Sequence, residues 1–132
     1  IIGKDIICRN NLHIIISNHL NHKFILGLLN SKMMNFYYTQ INPEKGEALA
    51  EVKKHHVEQL PIPKSYIEAV YNSLIVNVDN LLHLYEEFKI RTLDSQKQQI
   101  KAKIEYHEDK INEIVYQIYG LSQDEIKIIE NA

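Results

Sequence analysis

Two apolar stripes of helical period, separated by a short polar connection, constrain this chain more than any other feature. The first comprises Ile67, Val70, Leu74, Val78, Leu81, Tyr85 and Phe88; the second comprises Ile100, Ile104, His107, Ile111, Ile114 and Ile118. Steps of three and four residues keep each set on one side of a helix, and two such helices with a short link fold back as an antiparallel pair. At about 25 residues each, the arms are predicted to be roughly 35–40 Å long. Leu74, Val78, Leu81, Tyr85, Ile104, Ile111 and Ile118 are the candidate seam or interface residues. His107 interrupts the seam as a lone polar residue, a device that sets register. Ser65 with Glu68, and Ser95 with Gln98, have the spacing of capping boxes and predict the two helix starts. Gly120 is placed to end the second arm in the left-handed region, and Ser122 with Glu125 restarts a short C-terminal helix.

Residues 1–64 have a different character. Short apolar groups flank Arg9-Asn10-Asn11 over residues 5–17, which predicts two strands, arranged as a hairpin. Between residues 21 and 39, Phe24, Leu28, Leu29, Met33, Phe36 and Tyr37 share a helical face, with Asn18 or Asn21 as the cap. Pro43 and Gly46 among charges mark residues 42–47 as an exposed loop. Residues 57–62 are expected to form a short strand, confined to an edge or end by Pro61 and Pro63. The predicted class is α+β: residues 1–64 hold a small sheet with one packed helix, and residues 65–132 hold the long hairpin and the terminal helix.

Several function classes are excluded by composition. Fifteen Lys and Arg against 17 Asp and Glu give a formal charge of −2, unlike a protein coated in basic groups. No apolar run approaches the roughly 20 residues of a membrane span, and no signal-peptide pattern opens the chain. The lone Cys8 excludes an internal disulfide and fits a reducing compartment. A start at Ile1 rather than Met leads to the expectation that this is a segment of a longer protein.

Catalytic and metal signatures are sparse. His19 and His22 lie three apart and His55 adjoins His56, but a structural zinc site usually takes four ligands, and the single cysteine is distant in sequence. Glu51-Val52-Lys53 matches a three-residue fragment of a metal-dependent nuclease motif that also needs an upstream acid, but its obvious acidic neighbours, Glu44 and Glu47, fall in the expected loop rather than on a strand. A phosphate loop, a nucleophile elbow and a dinucleotide fingerprint are all absent. No catalytic and no metal-ligating residue is therefore assigned. What remains is a concentration of Lys45, Lys53, Lys54, His55, His56 and Lys64 near Tyr37, Tyr38 and Gln40, groups suited to phosphate contact and base reading. Glu44, Glu47, Glu51 and Glu58 are interleaved and bring the local charge close to neutral.

The run Leu28-Leu29-Asn30-Ser31-Lys32, followed by Asn35-Phe36-Tyr37, a loop, a basic segment and Leu60-Pro61-Ile62-Pro63, resembles the TaqI-like C-terminal specificity domain. Tyr119-Gly120-Leu121, after Ile111 to Ile118, is similar to that family's terminal helix and cap. The resemblance implies a DNA target-recognition part of a bacterial type II or IIG restriction–modification enzyme or adenine-specific methyltransferase. It further implies upstream methyltransferase or endonuclease domains that use S-adenosylmethionine and Mg²⁺. The methyltransferase motif contains Pro-Pro, and this chain has none, so no catalysis is carried over and no cofactor is expected in this segment.

In that role Asn30 and Ser31 are expected to be structural. The candidate DNA-binding residues are Arg9, Asn10, Asn11 and Gln40 for bases, with Lys45, Lys53, Lys54 and His55 as basic or phosphate-contacting groups. The expected partners are double-stranded DNA, an upstream catalytic domain of the same protein and a second copy paired through the helical arm, in the bacterial cytoplasm. The alternative is a coiled-coil dimerisation or docking module without direct DNA contact.

Overall fold

A computed structural model describes residues 15–42 and 54–132. Among these residues are six helices: α1 (His22–Leu29), α2 (Lys32–Ile41), α3 (Lys54–Glu58), α4 (Glu68–Ile90), α5 (Asp94–Ile118) and α6 (Gln123–Glu130). The longest two form the expected hairpin. The 23-residue α4 and the 25-residue α5 are joined by residues 91–93 and share the most extensive helix–helix interface. At 1.5 Å per residue they run about 35 and 38 Å.

Neither arm starts with the predicted capping box. α4 begins at Glu68 with Ile67 in the capping position, and α5 begins at Asp94 with Leu93 there; neither has a side-chain cap. The acids Glu68 and Asp94 in the first turns complement the helix dipoles instead. The C-terminal signals are used as expected. Gly120 has φ +63°, and the Leu121 N–H returns to the Tyr116 carbonyl at 3.0 Å, closing α5 with a Schellman turn. Ser122 and Glu125 then form a reciprocal capping box at the start of α6.

The α+β expectation is corrected: the described residues contain no strand, and α1 packs on α4 rather than on a sheet. Residues 54–58, which include the start of the expected strand, form α3. Pro61 and Pro63 keep the residues beyond it out of any ladder, because proline has no N–H to donate. Residues 15–17, the end of the expected N-terminal hairpin, are irregular. The remainder of that hairpin and residues 43–47 of the expected loop lie outside the described residues.

The predicted single helix over residues 21–39 is two. Asn21 caps α1, its Oδ1 accepting the Lys23 N–H at 2.8 Å. At the break, Ser31 leaves the helical region, donates its hydroxyl to the Leu28 carbonyl (2.7 Å) and accepts the Met34 N–H (3.2 Å). One serine thus closes α1 and opens α2, and it is almost completely buried. An N-capping residue inside an otherwise continuous apolar rhythm was the signal for the break.

One core joins both halves of the chain. Phe24, Leu28, Met33 and Met34 from α1 and α2 meet Leu74 and Val78 of α4 and Ile111, Val115 and Tyr116 of α5. Gly27 lets α1 approach closely: a Cβ there would lie 2.9 Å from Val78 Cγ2 and 3.1 Å from Leu74 Cδ1. Around Phe24, the rings of Tyr66 and Tyr71 stack at 4.4 Å, with Tyr71 4.5 Å from Phe24, and the Tyr71 hydroxyl accepts the Asn21 N–H at 2.8 Å. Lys23 pairs with Asp79 across the same helices, and its hydrogen bond holds the Asp79 carboxyl below the usual range. Among the described residues no helix is long and apolar enough to cross a membrane.

Candidate nucleic-acid interface

The polar surface singled out by the sequence centres on the C-terminal half of α2 and on α3, which pack against each other. The α2 register buries Met33 and Met34 and leaves Tyr37 and Gln40 exposed. In α3, His56 turns inward and is 5% exposed, while Lys54 and His55 face solvent. The Lys54–Glu58 pair spans one turn at 3.6 Å with both side chains largely exposed, so the ammonium is held only weakly. The chain leaves α3 through closing bonds from the Gln59 and Leu60 N–H groups to the His56 and Val57 carbonyls. The Tyr119 hydroxyl then donates to the Pro61 carbonyl, tying this exit to the end of α5. Burial pushes that phenol up to about 12.

Of the candidate DNA-binding residues, Gln40, Lys54 and His55 therefore lie exposed on two packed elements. Arg9, Asn10, Asn11, Lys45 and Lys53 lie outside the described residues. His19 and His22 are exposed at the entry to α1, and among the described residues no three His, Cys, Asp or Glu side chains gather as a metal cluster. Reading the sequence missed His56 as a buried group. Adjacent histidines on a helix point in directions about 100° apart, so one of a pair is free to turn inward, but which one depends on packing.

The candidate seam residues are brought together along α4 and α5. Leu74, Val78, Ile104 and Ile111 are buried, Leu81 and Ile118 pack partly buried against the core, and Tyr85 is 44% exposed. The Tyr85 hydroxyl donates to Glu108 at 2.6 Å, which pushes the phenol up to about 12. His107 is half-buried, its Nδ1 2.8 Å from Asn77 Oδ1, a polar cross-link between the arms. Leu81 and Tyr85 also line an open groove of about 450 Å³, with Leu26 and Gly27 of α1 on one wall and Ile111 and Asn112 of α5 on another.

A structural second site holds the far end of α2. Lys32 Nζ meets Glu130 of α6 at 2.7 Å, and the Tyr116 hydroxyl donates to the same carboxylate at 2.6 Å. These two bonds, that of Lys32 foremost, hold the Glu130 carboxyl below the usual range, and the bond to Glu130 in turn raises the lysine.

The arrangement places exposed hydrogen-bonding and basic groups on a small helical platform. Among known families, residues 2–62 match the model of the TaqI-like C-terminal specificity domain. The match covers α1, α2 and α3, ends at Ile62, and bears out the resemblance carried by Leu28-Leu29-Asn30-Ser31-Lys32 and Leu60-Pro61-Ile62. A specificity domain is not itself catalytic, and the hairpin and α6 lie beyond the matched segment. No curated protein and no solved structure matches the chain.

Proposed function

We propose that this chain is a DNA sequence-recognition module of a bacterial restriction–modification enzyme, positioning an upstream adenine-N6 methyltransferase domain, an endonuclease domain or both on a target site. The family match over residues 2–62 carries the proposal. Exposure of Gln40, Lys54 and His55 on adjoining helices supports it, because an amide reads base edges and cations meet phosphates. S-adenosylmethionine and Mg²⁺ would belong to the parent's other domains, and the complex would act on double-stranded DNA in the bacterial cytoplasm.

Titration of a labelled DNA duplex at increasing salt tests the proposal. Binding that weakens steeply as salt rises is expected; indifference of both the chain and its parent to cognate duplex at low salt would sink it. A docking role for the arm is favoured by Ile90 and Leu93, 74% and 60% exposed at the hairpin turn. Light scattering tests that role: a stable dimer dispersed by charges at these two positions supports it, and a monomer at all concentrations rejects it.

A further inference from the structure

The contact between α2 and α3 contains two buried polar atoms without a hydrogen-bond partner among the described residues, the Tyr38 hydroxyl and His56 Nδ1. Their rings meet edge-on, with centroids 6.1 Å apart and planes at 82°. Unpaired buried polar atoms cost stability and call for an explanation. An apolar ring at either position would fill the same space without that cost.

The two atoms are chemically complementary. A phenol hydroxyl donates, and Nδ1 accepts when the imidazole proton sits on Nε2. His56 is also mechanically linked to the surface, since its ring lies 3.9 Å from that of His55 and both belong to a five-residue helix. Any shift of α3 on α2 that brought hydroxyl and nitrogen into bonding range would carry Lys54 and His55 with it, since they share the helix with His56.

We propose that Tyr38 and His56 form a latch, open in the free chain and closed on DNA, that positions Lys54 and His55 for phosphate contact. The proposal rests on the recognition reading above. Tyr38 and His56 are positioning residues: neither touches DNA, and each acts through the orientation of α3.

The test uses the full chain with a labelled mixed-sequence DNA duplex at about 50 mM salt, together with thermal melting in the absence of DNA. Tyr38→Phe and His56→Phe are each expected to keep or raise the melting temperature while weakening DNA binding about five- to tenfold, the worth of one hydrogen bond. In the His56→Phe background, Lys54→Gln is expected to cost less affinity than it does alone, since the lysine is already displaced. Wild-type affinity in both variants, melting temperature falling together with affinity, or strictly additive effects with Lys54→Gln would overturn the latch. Indifference of both the wild-type chain and its parent to cognate duplex at low salt overturns the recognition reading itself, and the latch with it.

Discussion

Asn112, on α5, accepts the backbone N–H of Lys32, the first residue of α2, at 2.8 Å. Eighty positions separate the two residues in the sequence. The first N–H groups of a helix have no partner within it, and here one of them is satisfied by a buried side chain from another helix. Asn112 therefore serves as a tertiary cap that fixes where α2 begins relative to the hairpin. Asn112→Ala should destabilise the fold by about 1–2 kcal/mol, whereas Asn112→Asp, which keeps the acceptor, should recover part of the loss. Urea unfolding of the two variants checks this, and equal losses would show that the acceptor is irrelevant.

Gly27 is required by close approach rather than by backbone conformation. A methyl group there would meet Val78 Cγ2 at 2.9 Å, and the branched valine has little rotamer freedom with which to yield. Overpacking of this kind costs about 1–3 kcal/mol, partly offset by the better helix propensity of alanine. Gly27→Ala should lower stability by about 1 kcal/mol or more, and adding Val78→Ala should be less damaging than the sum of the two single changes. Additive losses in a double-mutant cycle would remove the steric explanation.

Leu74 is completely buried where α1 meets the hairpin. Leu74→Ala should cost about 2–5 kcal/mol, in a transition seen equally by α-helical circular dichroism and by tyrosine fluorescence. Loss of α1 packing with an intact hairpin would appear instead as two separate transitions.

The clasp of Glu130 with Lys32 and Tyr116 makes stability depend on acid. A carboxyl whose folded value is depressed contributes stability that is present above its unfolded value, near 4.5, and lost as pH falls through the lower folded value. Melting temperatures of the wild-type chain should therefore drop more steeply below about pH 4.5 than those of Glu130→Gln. Parallel pH profiles for the two proteins would contradict this.

Substitution of Lys54 tests the proposed recognition surface without disturbing the fold. Its pairing with Glu58 is exposed at both ends, so Lys54→Gln should leave stability within about 0.5 kcal/mol. If the ammonium meets a phosphate, the salt dependence of DNA binding should lose about one contact's worth of slope. An unchanged slope would remove Lys54 from the interface.

Much of the hairpin was legible because its information is local and repeated. Leu74, Val78, Ile104 and Ile111 recur at helical spacing, and Gly120 with Ser122 carries its own stop and start chemistry. The helix starts were misread: Ser65 and Ser95 have the right neighbours for capping boxes, but the chain enters each helix through Ile67 and Leu93 instead. The α1–α2 break was written in Ser31 but masked by an apolar rhythm that continues across it. Of the candidate site, Lys54, His55 and Gln40 were singled out by residue type and lie exposed, whereas the inward turn of His56 was not foreseen, since two adjacent histidines look alike until one is packed.

By itself, then, the sequence determined the paired arms, the end of α5, the cap of α6 and the family to which residues 2–62 are matched, because periodicity, turn chemistry and motif order are properties of neighbouring residues. Only the tertiary structure decided that Phe24 and Leu28 pack on a helix instead of a sheet, that Asn112 caps α2, and that Glu130 joins Lys32 to Tyr116. An apolar helical face records that it must be covered, but not by what. The choice is made by the surfaces that meet in space, here the gap at Gly27 that admits Leu74 and Val78.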